Sequence, residues 1–194
     1  MNLKYFCSIN LLVIILYIFC FWISLGPNSY IQSLFSETPY VASASLIFFA
    51  HGIRVLSILL WGYYVYLGVF LAQVFTGYLF LNFQTFDLVN IFLSLCSLIP
   101  FPIVSYALFR TIKGLEFEKI KLKNIILLSI FSSCLSSYFS TSYKNFINPQ
   151  ERLEFITEAS NFIIGDALGA FILFYFSIWI YRSIYLIRNQ NSSQ

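Results

Sequence analysis

The sequence predicts an all-helical integral membrane protein, a bundle of six transmembrane helices with both termini cytoplasmic. Of its 194 residues, 59% are hydrophobic and only 10% are charged, against about 25% charged in an ordinary soluble domain. A soluble chain of this length buries one core, and a mean hydropathy of +0.81 leaves far more apolar surface than that core hides. We therefore expect a single transmembrane domain over residues 1–194 and no separate soluble domain.

Six stretches are long enough to span a membrane, since a transmembrane helix needs about 20 mostly apolar residues. They lie at residues 5–26, 41–61, 64–82, 87–109, 124–141 and 159–181. Gly26 ends the first stretch, Gly62 separates the second from the third, and Asp87 precedes the fourth. Pro100 and Pro102 are expected to kink the fourth helix and to free one or two backbone carbonyls.

The positions of lysine and arginine predict the orientation, because short cytoplasmic loops carry an excess of positive charge. With the amino terminus inside, eight of these residues are cytoplasmic: Lys4, Arg110, Lys113, Lys119, Lys121, Lys123, Arg182 and Arg188. Only Lys144 and Arg152 are then outside, and Arg54 falls within a span. This distribution favours six spans in a bacterial inner (plasma) membrane.

Several classes of function are disfavoured by composition. Eleven Lys+Arg against eight Asp+Glu form no basic face for nucleic acid. The four cysteines have no paired spacing, so neither a disulfide framework nor a metal role is expected. His51 alone lacks the ligand set of a metal site. We find no nucleophile and base pair, so an enzyme is the least favoured class and no cofactor is expected.

Three ionisable residues lie within the predicted spans: His51, Arg54 and Asp166. Such residues cost about 2.5–3.5 kcal/mol each to insert, so they usually face the bundle interior and find partners. His51 and Arg54 are three residues apart and share one helical face. We expect a desolvated network between the second and sixth helices, either by direct contact of Arg54 with Asp166 or with His51 as a bridge.

Different roles for this network remain open at this point. The charges of Arg54 and Asp166 neutralise one another and fix two helices in register, which is a purely structural role. Alternatively, the network binds a small polar or anionic ligand, or changes protonation and so shifts helix packing. A proton or ion path is a further option, although no second carboxylate accompanies Asp166 at depth.

Small polar residues line the predicted neighbours of this network. The fifth span carries a serine stripe, whose members are Ser129, Ser132, Ser133, Ser136, Ser137 and Ser140. The stripe indicates either close helix packing or a polar cavity wall, and we include Ser133 and Ser136 in the candidate network. Gln73 joins them from the third span.

Two further patterns indicate packing and membrane anchoring. Gly165 and Gly169 form a G-x-x-x-G packing face on the sixth span. Tyrosines and tryptophans near the span ends suggest interfacial belts, among them Tyr63, Tyr64, Tyr66 and Trp179.

Part of the sequence resembles a known family, the first family of membrane-associated sensor domains. The similarity lies in Phe49-Ala50-His51-Gly52-Ile53-Arg54-Val55-Leu56, Leu60-Trp61-Gly62-Tyr63-Tyr64, Leu67-Gly68-Val69-Phe70-Leu71-Ala72 and Gly165-Asp166-Ala167-Leu168-Gly169. The resemblance implies an integral membrane input module, which in that family is usually attached to a cytoplasmic histidine kinase or cyclic-dinucleotide enzyme. Members are usually longer, and His51 stands where they favour a proline.

The sequence thus favours a sensor-like module that binds a small polar ligand or responds to protonation. Too few residues follow the last span for an output domain, so we expect a short stand-alone version that signals through a partner. The basic segment Arg110–Lys123 is the candidate contact surface for that partner, or contacts anionic lipid headgroups. The alternative is membrane transport, for example a substrate-capture subunit of a vitamin or small-solute importer with an externally open pocket.

Overall fold

Helices make up nearly all of the chain that the structure describes. The computed structural model describes residues 2–26, 47–80, 87–110, 122–147 and 155–191. The helices are α1 (Leu3–Leu25), α2 (Phe49–Trp61), α3 (Tyr66–Phe80), α4 (Leu88–Leu98), α5 (Pro100–Phe109), α6 (Leu122–Ile147) and α7 (Phe155–Asn191). A 3-10 turn at Gly62–Val65 joins α2 to α3, and the described ranges contain no strand. The predicted all-helical class is confirmed.

Five helical stretches are long and apolar enough to cross a membrane. They are Leu3–Leu25, Phe49–Phe80, Leu88–Phe109, Leu122–Ile147 and Ile163–Ile180. Many large apolar side chains on their outer surface are exposed, including Leu11, Leu79 and Phe176. A soluble monomer rarely exposes large contiguous apolar patches, so this surface fits a multi-pass helical membrane protein.

The stretch Phe49–Phe80 reverses its direction at its middle. A straight helix of 32 residues is about 48 Å long. The Phe21 ring, however, lies 5.5 Å from the ring of Phe48 and 5.5 Å from that of Phe80, measured between centroids. Both ends of the stretch therefore lie at the same end of α1, and α2 and α3 form the two legs of a helical hairpin.

The hairpin turn is held by α1. Gly62 has a φ of 58° with a ψ of −136°, a conformation that side chains other than glycine strongly disfavour. The side chain of Asn10 donates to the Tyr64 carbonyl at 2.9 Å and accepts from the Gly68 amide at 2.6 Å. Because Asn10 satisfies these backbone groups, non-helical backbone is tolerated beside the apolar core.

The helices pack as a closed ring. Along it, α1 contacts α3, α3 contacts α4, and α4 and α5 both contact α6; α6 then contacts α7, α7 contacts α2, and α2 returns to α1. In addition, α2 contacts α6 across the interior. The polar faces of α2, α6 and α7 consequently meet at the centre of the ring.

The glycine face of α7 seats the start of α2. The Phe48 amide donates to the Gly165 carbonyl at 2.9 Å, and the Phe48 carbonyl lies where a Cβ on Gly169 would be. A Cβ on Gly52 would lie 2.8 Å from the Gly169 carbonyl oxygen. Small residues therefore let the two backbones approach closely, as expected for a G-x-x-x-G face.

The prolines interrupt the fourth predicted span. The helix breaks at Ile99 into α4 and α5, and Asp87 caps α4 by accepting from the Val89 amide at 3.2 Å. Pro100 and Pro102 supply no amide donors to the carbonyls four residues before them. The predicted kink is thus present, directly beside Ser97.

Several boundaries differ from the sequence prediction. The hairpin legs have 13 and 15 residues, fewer than the predicted 41–61 and 64–82, whose outer parts lie partly outside the described residues. By contrast, α6 and α7 extend beyond 124–141 and 159–181. The hydroxyl of Tyr66 is buried without a hydrogen bond, and its place in an interfacial belt stays a prediction. Most of the segment Arg110–Lys123 lies outside the described residues.

Candidate functional site

Two of the three ionisable residues come from the first turns of α2. The start of this helix is fixed from both sides, because the Phe49 amide donates to the Ser24 hydroxyl of α1 at 3.0 Å while α7 binds the preceding amide. His51 and Arg54 then point into the ring, with relative exposures of 0% and 4%. Their burial follows from the packing of α2 between α1, α6 and α7.

The third residue, Asp166, comes from α7 and meets both. Its Oδ2 lies 2.9 Å from Nδ1 of His51 and 4.0 Å from Nη2 of Arg54. Nη2 of Arg54 in turn lies 2.5 Å from the same Nδ1. The structure therefore brings together the three residues that the sequence singled out, with the His51 imidazole bridging the charges. We call His51, Arg54 and Asp166 the charged centre.

The Arg54 guanidinium reaches the middle of the apolar stretch formed by α4 and α5. Ser97, whose carbonyl accepts from Nη1 of Arg54 at 3.3 Å, is near the middle of the apolar stretch Leu88–Phe109. A helix rises about 1.5 Å per residue, so the arginine contact lies about 15 Å along α4 from its cap at Asp87. An uncompensated charge inside such an apolar stretch is costly.

The serine stripe contributes one direct contact to the centre. The Ser133 hydroxyl donates to Oδ2 of Asp166 at 2.6 Å, and the Ser129 hydroxyl donates weakly to the Asp166 backbone carbonyl at 3.4 Å. Ser136 is also buried, but its hydroxyl donates to the Ser133 carbonyl of its own helix at 3.2 Å. Ser133 thus belongs to the centre, while Ser136 serves the packing of α6.

Gln73 extends the network to α3 and α4. With its amide oriented to satisfy its neighbours, Oε1 accepts from Nη1 of Arg54 at 3.1 Å and Nε2 donates to the Ser94 carbonyl at 2.8 Å. The same Nε2 lies 2.6 Å from the Ser97 hydroxyl. The guanidinium is therefore held on the side away from Asp166 by groups of two further helices.

Two contacts of the centre were not anticipated from the sequence. The Phe101 ring lies under both basic groups, 4.9 Å from the Arg54 guanidinium carbon and 5.7 Å from the His51 ring centroid. A cation over an aromatic face is attracted to the ring quadrupole. Phe101 is an apolar residue in an apolar stretch, so nothing in the sequence marks it as part of a polar site. Ser97 is polar and lies three residues before Pro100, where the helix was expected to be interrupted.

The charged centre is electrically balanced when His51 is neutral. Arg54 contributes one positive charge and Asp166 one negative charge, and the described part of the chain places no further Lys, Arg, Asp or Glu in contact with them. Tyr17 of α1 lies within electrostatic range of both charges. Among the described residues, no group of three metal-ligating side chains occurs, so the centre offers hydrogen bonding and charge rather than metal chemistry.

Comparisons with known proteins return no match. No protein-family model matches the chain, and no curated protein or solved structure is significantly similar to it. The function is accordingly argued from the geometry of the charged centre.

Replacing Arg54 and Asp166 separately and together tests the coupling of the two charges. Arg54→Met and Asp166→Asn each leave an uncompensated buried charge, which costs about 3–5 kcal/mol of stability. The double variant removes both charges, so we expect its loss to be smaller than the sum of the single losses by about 1–3 kcal/mol. Thermal unfolding in detergent or nanodiscs measures these losses.

Asp87→Asn is the matched control, because Asp87 is the other aspartate of the chain and caps α4 far from Arg54. Its loss is expected to add to that of Arg54→Met. Additive losses for Arg54→Met and Asp166→Asn would show that the two charges do not interact.

Proposed function

We propose that the protein is a sensor-like integral membrane protein whose helix packing depends on the protonation of the charged centre. One observation carries this proposal. The His51 imidazole, a titratable group with no solvent exposure, directly contacts a guanidinium of its own helix and a carboxylate of another helix. Imidazole is the side chain whose charge changes most readily near physiological pH.

A change of protonation at this place has structural consequences. An added proton gives the previously neutral centre a net positive charge in an interior of low dielectric constant. An uncompensated ion there costs several kcal/mol. The bundle lowers this cost by moving α2 relative to α7 or by admitting water. Protonation is therefore coupled to the contact between these two helices.

Helix α7 provides a route by which such a movement leaves the membrane. It carries Asp166 and continues as one helix to Asn191, and a straight helix between these two residues is about 37 Å long. We propose that a partner on the cytoplasmic side reads the position of α7, with the segment Arg110–Lys123 as a second contact.

The proposed topology has six crossings in a bacterial inner membrane, with both termini cytoplasmic. The reversal of Phe49–Phe80 supports this proposal, because a hairpin returns the chain to the side from which it entered. The remaining four apolar stretches are even in number, so both termini lie on one side whether or not the hairpin crosses fully. The excess of lysine and arginine places that side in the cytoplasm.

Reporter domains fused at two positions test the topology. Gln84 precedes α4 and Lys119 follows α5, so a complete crossing separates the two positions. We expect a periplasmic reporter to be active at Gln84 and a cytoplasmic one at Lys119. If the reporters place both positions in the same compartment, the crossing of the membrane by α4 and α5 is contradicted.

Hydrogen exchange measured in nanodiscs between about pH 8 and pH 5, the range in which imidazoles titrate, tests the sensor function. After correction for the intrinsic pH dependence of exchange, we expect peptides covering the start of α2 and its contact on α7 to lose protection on acidification. The His51→Asn variant removes the one imidazole of the chain while keeping Arg54 and Asp166, so its protection is expected to be independent of pH.

Ser136→Ala serves as the matched control, since it changes a buried hydroxyl that bonds only within α6; it is expected to respond as the unsubstituted protein does. A flat profile in the unsubstituted protein would contradict the proposed function. A pH response that the His51→Asn variant retains would contradict its assignment to the charged centre.

A further inference from the structure

One ring nitrogen of His51 is approached by two partners with opposite requirements. Nδ1 lies 2.5 Å from Nη2 of Arg54 and 2.9 Å from Oδ2 of Asp166. A guanidinium only donates hydrogen bonds, and an ionised carboxylate only accepts them. An imidazole nitrogen has either one N–H or one lone pair. Nδ1 therefore satisfies Arg54 or Asp166, but not both at once.

The two possible hydrogen bonds define two arrangements of the charged centre. In the first, the proton is on Nε2 and the Nδ1 lone pair accepts from Arg54. In the second, the proton is on Nδ1, which donates to Asp166, and the guanidinium has to find another acceptor. Both arrangements have the same net charge, so the desolvation cost of net charge does not distinguish them.

Unused hydrogen-bonding groups show where the guanidinium moves in the second arrangement. Three atoms of the charged centre are buried and have no hydrogen bond: Nε2 of His51, Oδ1 of Asp166 and Nε of Arg54. Nη2 is already 4.0 Å from the other oxygen of the same carboxylate. A short movement over the Phe101 ring thus converts the bridged geometry into a direct ion pair that uses Oδ1, which offsets the cost of about 1–3 kcal/mol for an unsatisfied buried group.

We infer that His51 is a tautomer switch that alternates between accepting from Arg54 and donating to Asp166, and that acidification ends this alternation, because the doubly protonated ring can only donate to Asp166. This inference rests on the proposed function and specifies how the centre detects a proton. One proton from a hydronium ion binds to bare Nδ1 and gives an imidazolium with both nitrogens protonated; Nδ1–H bonds Asp166 while the like charge repels Arg54. When the pH rises again, loss of either ring proton to water returns one of the two neutral tautomers.

The groups that face His51 are compatible with such an exchange. The charged and titratable groups around it are Arg54 on its own helix, Asp166 on α7 and Tyr17 on α1, which interacts with both charges. The other elements packed here present the Phe101 ring from α5 and, from α6, the Ser129 backbone to His51 and the Ser133 hydroxyl to Asp166. Within the described residues, then, the state of Nδ1 depends chiefly on the competition between Arg54 and Asp166.

Nitrogen-15 NMR of histidine-labelled protein in lipid bilayers measures the switch directly, because the chain contains one histidine and its two ring nitrogens give distinct signals when protonated or bare. In the unsubstituted protein at neutral pH we expect Nδ1 to show both states in exchange, and on acidification both nitrogens become protonated. A single tautomer at neutral pH that acidification leaves unchanged would overturn the inference.

Two variants separate the partners. Arg54→Met removes the donor, so Nδ1 is expected to carry a proton toward Asp166. Asp166→Asn removes the ionised acceptor, so Nδ1 is expected to be bare and to accept from Arg54. The same Nδ1 state in both folded variants would overturn the switch, and Ser136→Ala is the control that leaves the signals unchanged.

The outcomes also distinguish the switch from the proposed function. If hydrogen exchange depends on pH through the charged centre while Nδ1 keeps one state, the sensor function stands and the tautomer switch is wrong. If Nδ1 changes state while the contact between α2 and α7 is insensitive to pH, the switch exists without the sensor function. Neither result requires any variant to fold, because both come from the unsubstituted protein.

Discussion

The contact of the His51 imidazole with Arg54 and Asp166 is the interaction on which the interior of this bundle depends. A single ion in a hydrocarbon interior is costly, and here two opposite ions are placed within 4.0 Å of each other with an imidazole between them. The pair is neutral overall, which makes burial tolerable. It is also fragile, because removal of either charge leaves the other without compensation. Under the proposed function, such a centre fixes helix positions when balanced and shifts them when its charge changes.

The fold supplies this contact by fixing α2 through its backbone. Ser24 of α1 and Gly165 of α7 bind consecutive amides at the start of α2, so the helix cannot rotate without losing both bonds. Asn10 holds the far end of the hairpin. These polar contacts lie within an otherwise apolar bundle, where lipid provides no competing hydrogen bonds. His51 lies on α2, which contacts α1, α6 and α7.

The sequence predicted the helical class and the three members of the charged centre, since isolated ionisable residues in apolar stretches have few alternatives to meeting each other. It also predicted the break at Gly62 and the kink before Pro102. It did not predict Phe101, whose role depends on a side-chain position that no apolar pattern encodes, or Ser97, whose backbone carbonyl rather than its hydroxyl reaches Arg54. The sequence prediction made the two helices of the hairpin, α2 and α3, too long. Hydropathy gives the length of an apolar stretch, but it does not give the residue at which tertiary contacts cause a helix to begin. Ser136 follows the spacing of the serine stripe, but its hydroxyl donates to the Ser133 carbonyl of its own helix.

The distance between His51 and Asp166 in a lipid bilayer tests the central claim most directly. Solid-state NMR measures it as the dipolar coupling between nitrogen-15 at Nδ1 of the one histidine and carbon-13 at Cγ of the aspartates, of which the chain has two. With Nδ1 at 2.9 Å from Oδ2, Cγ of Asp166 is no more than about 4.1 Å away, one carboxyl bond further. The account predicts strong dephasing of the Asp166 signal and none for Asp87. If neither aspartate signal is dephased, the account is contradicted, because the charges would then not meet through His51.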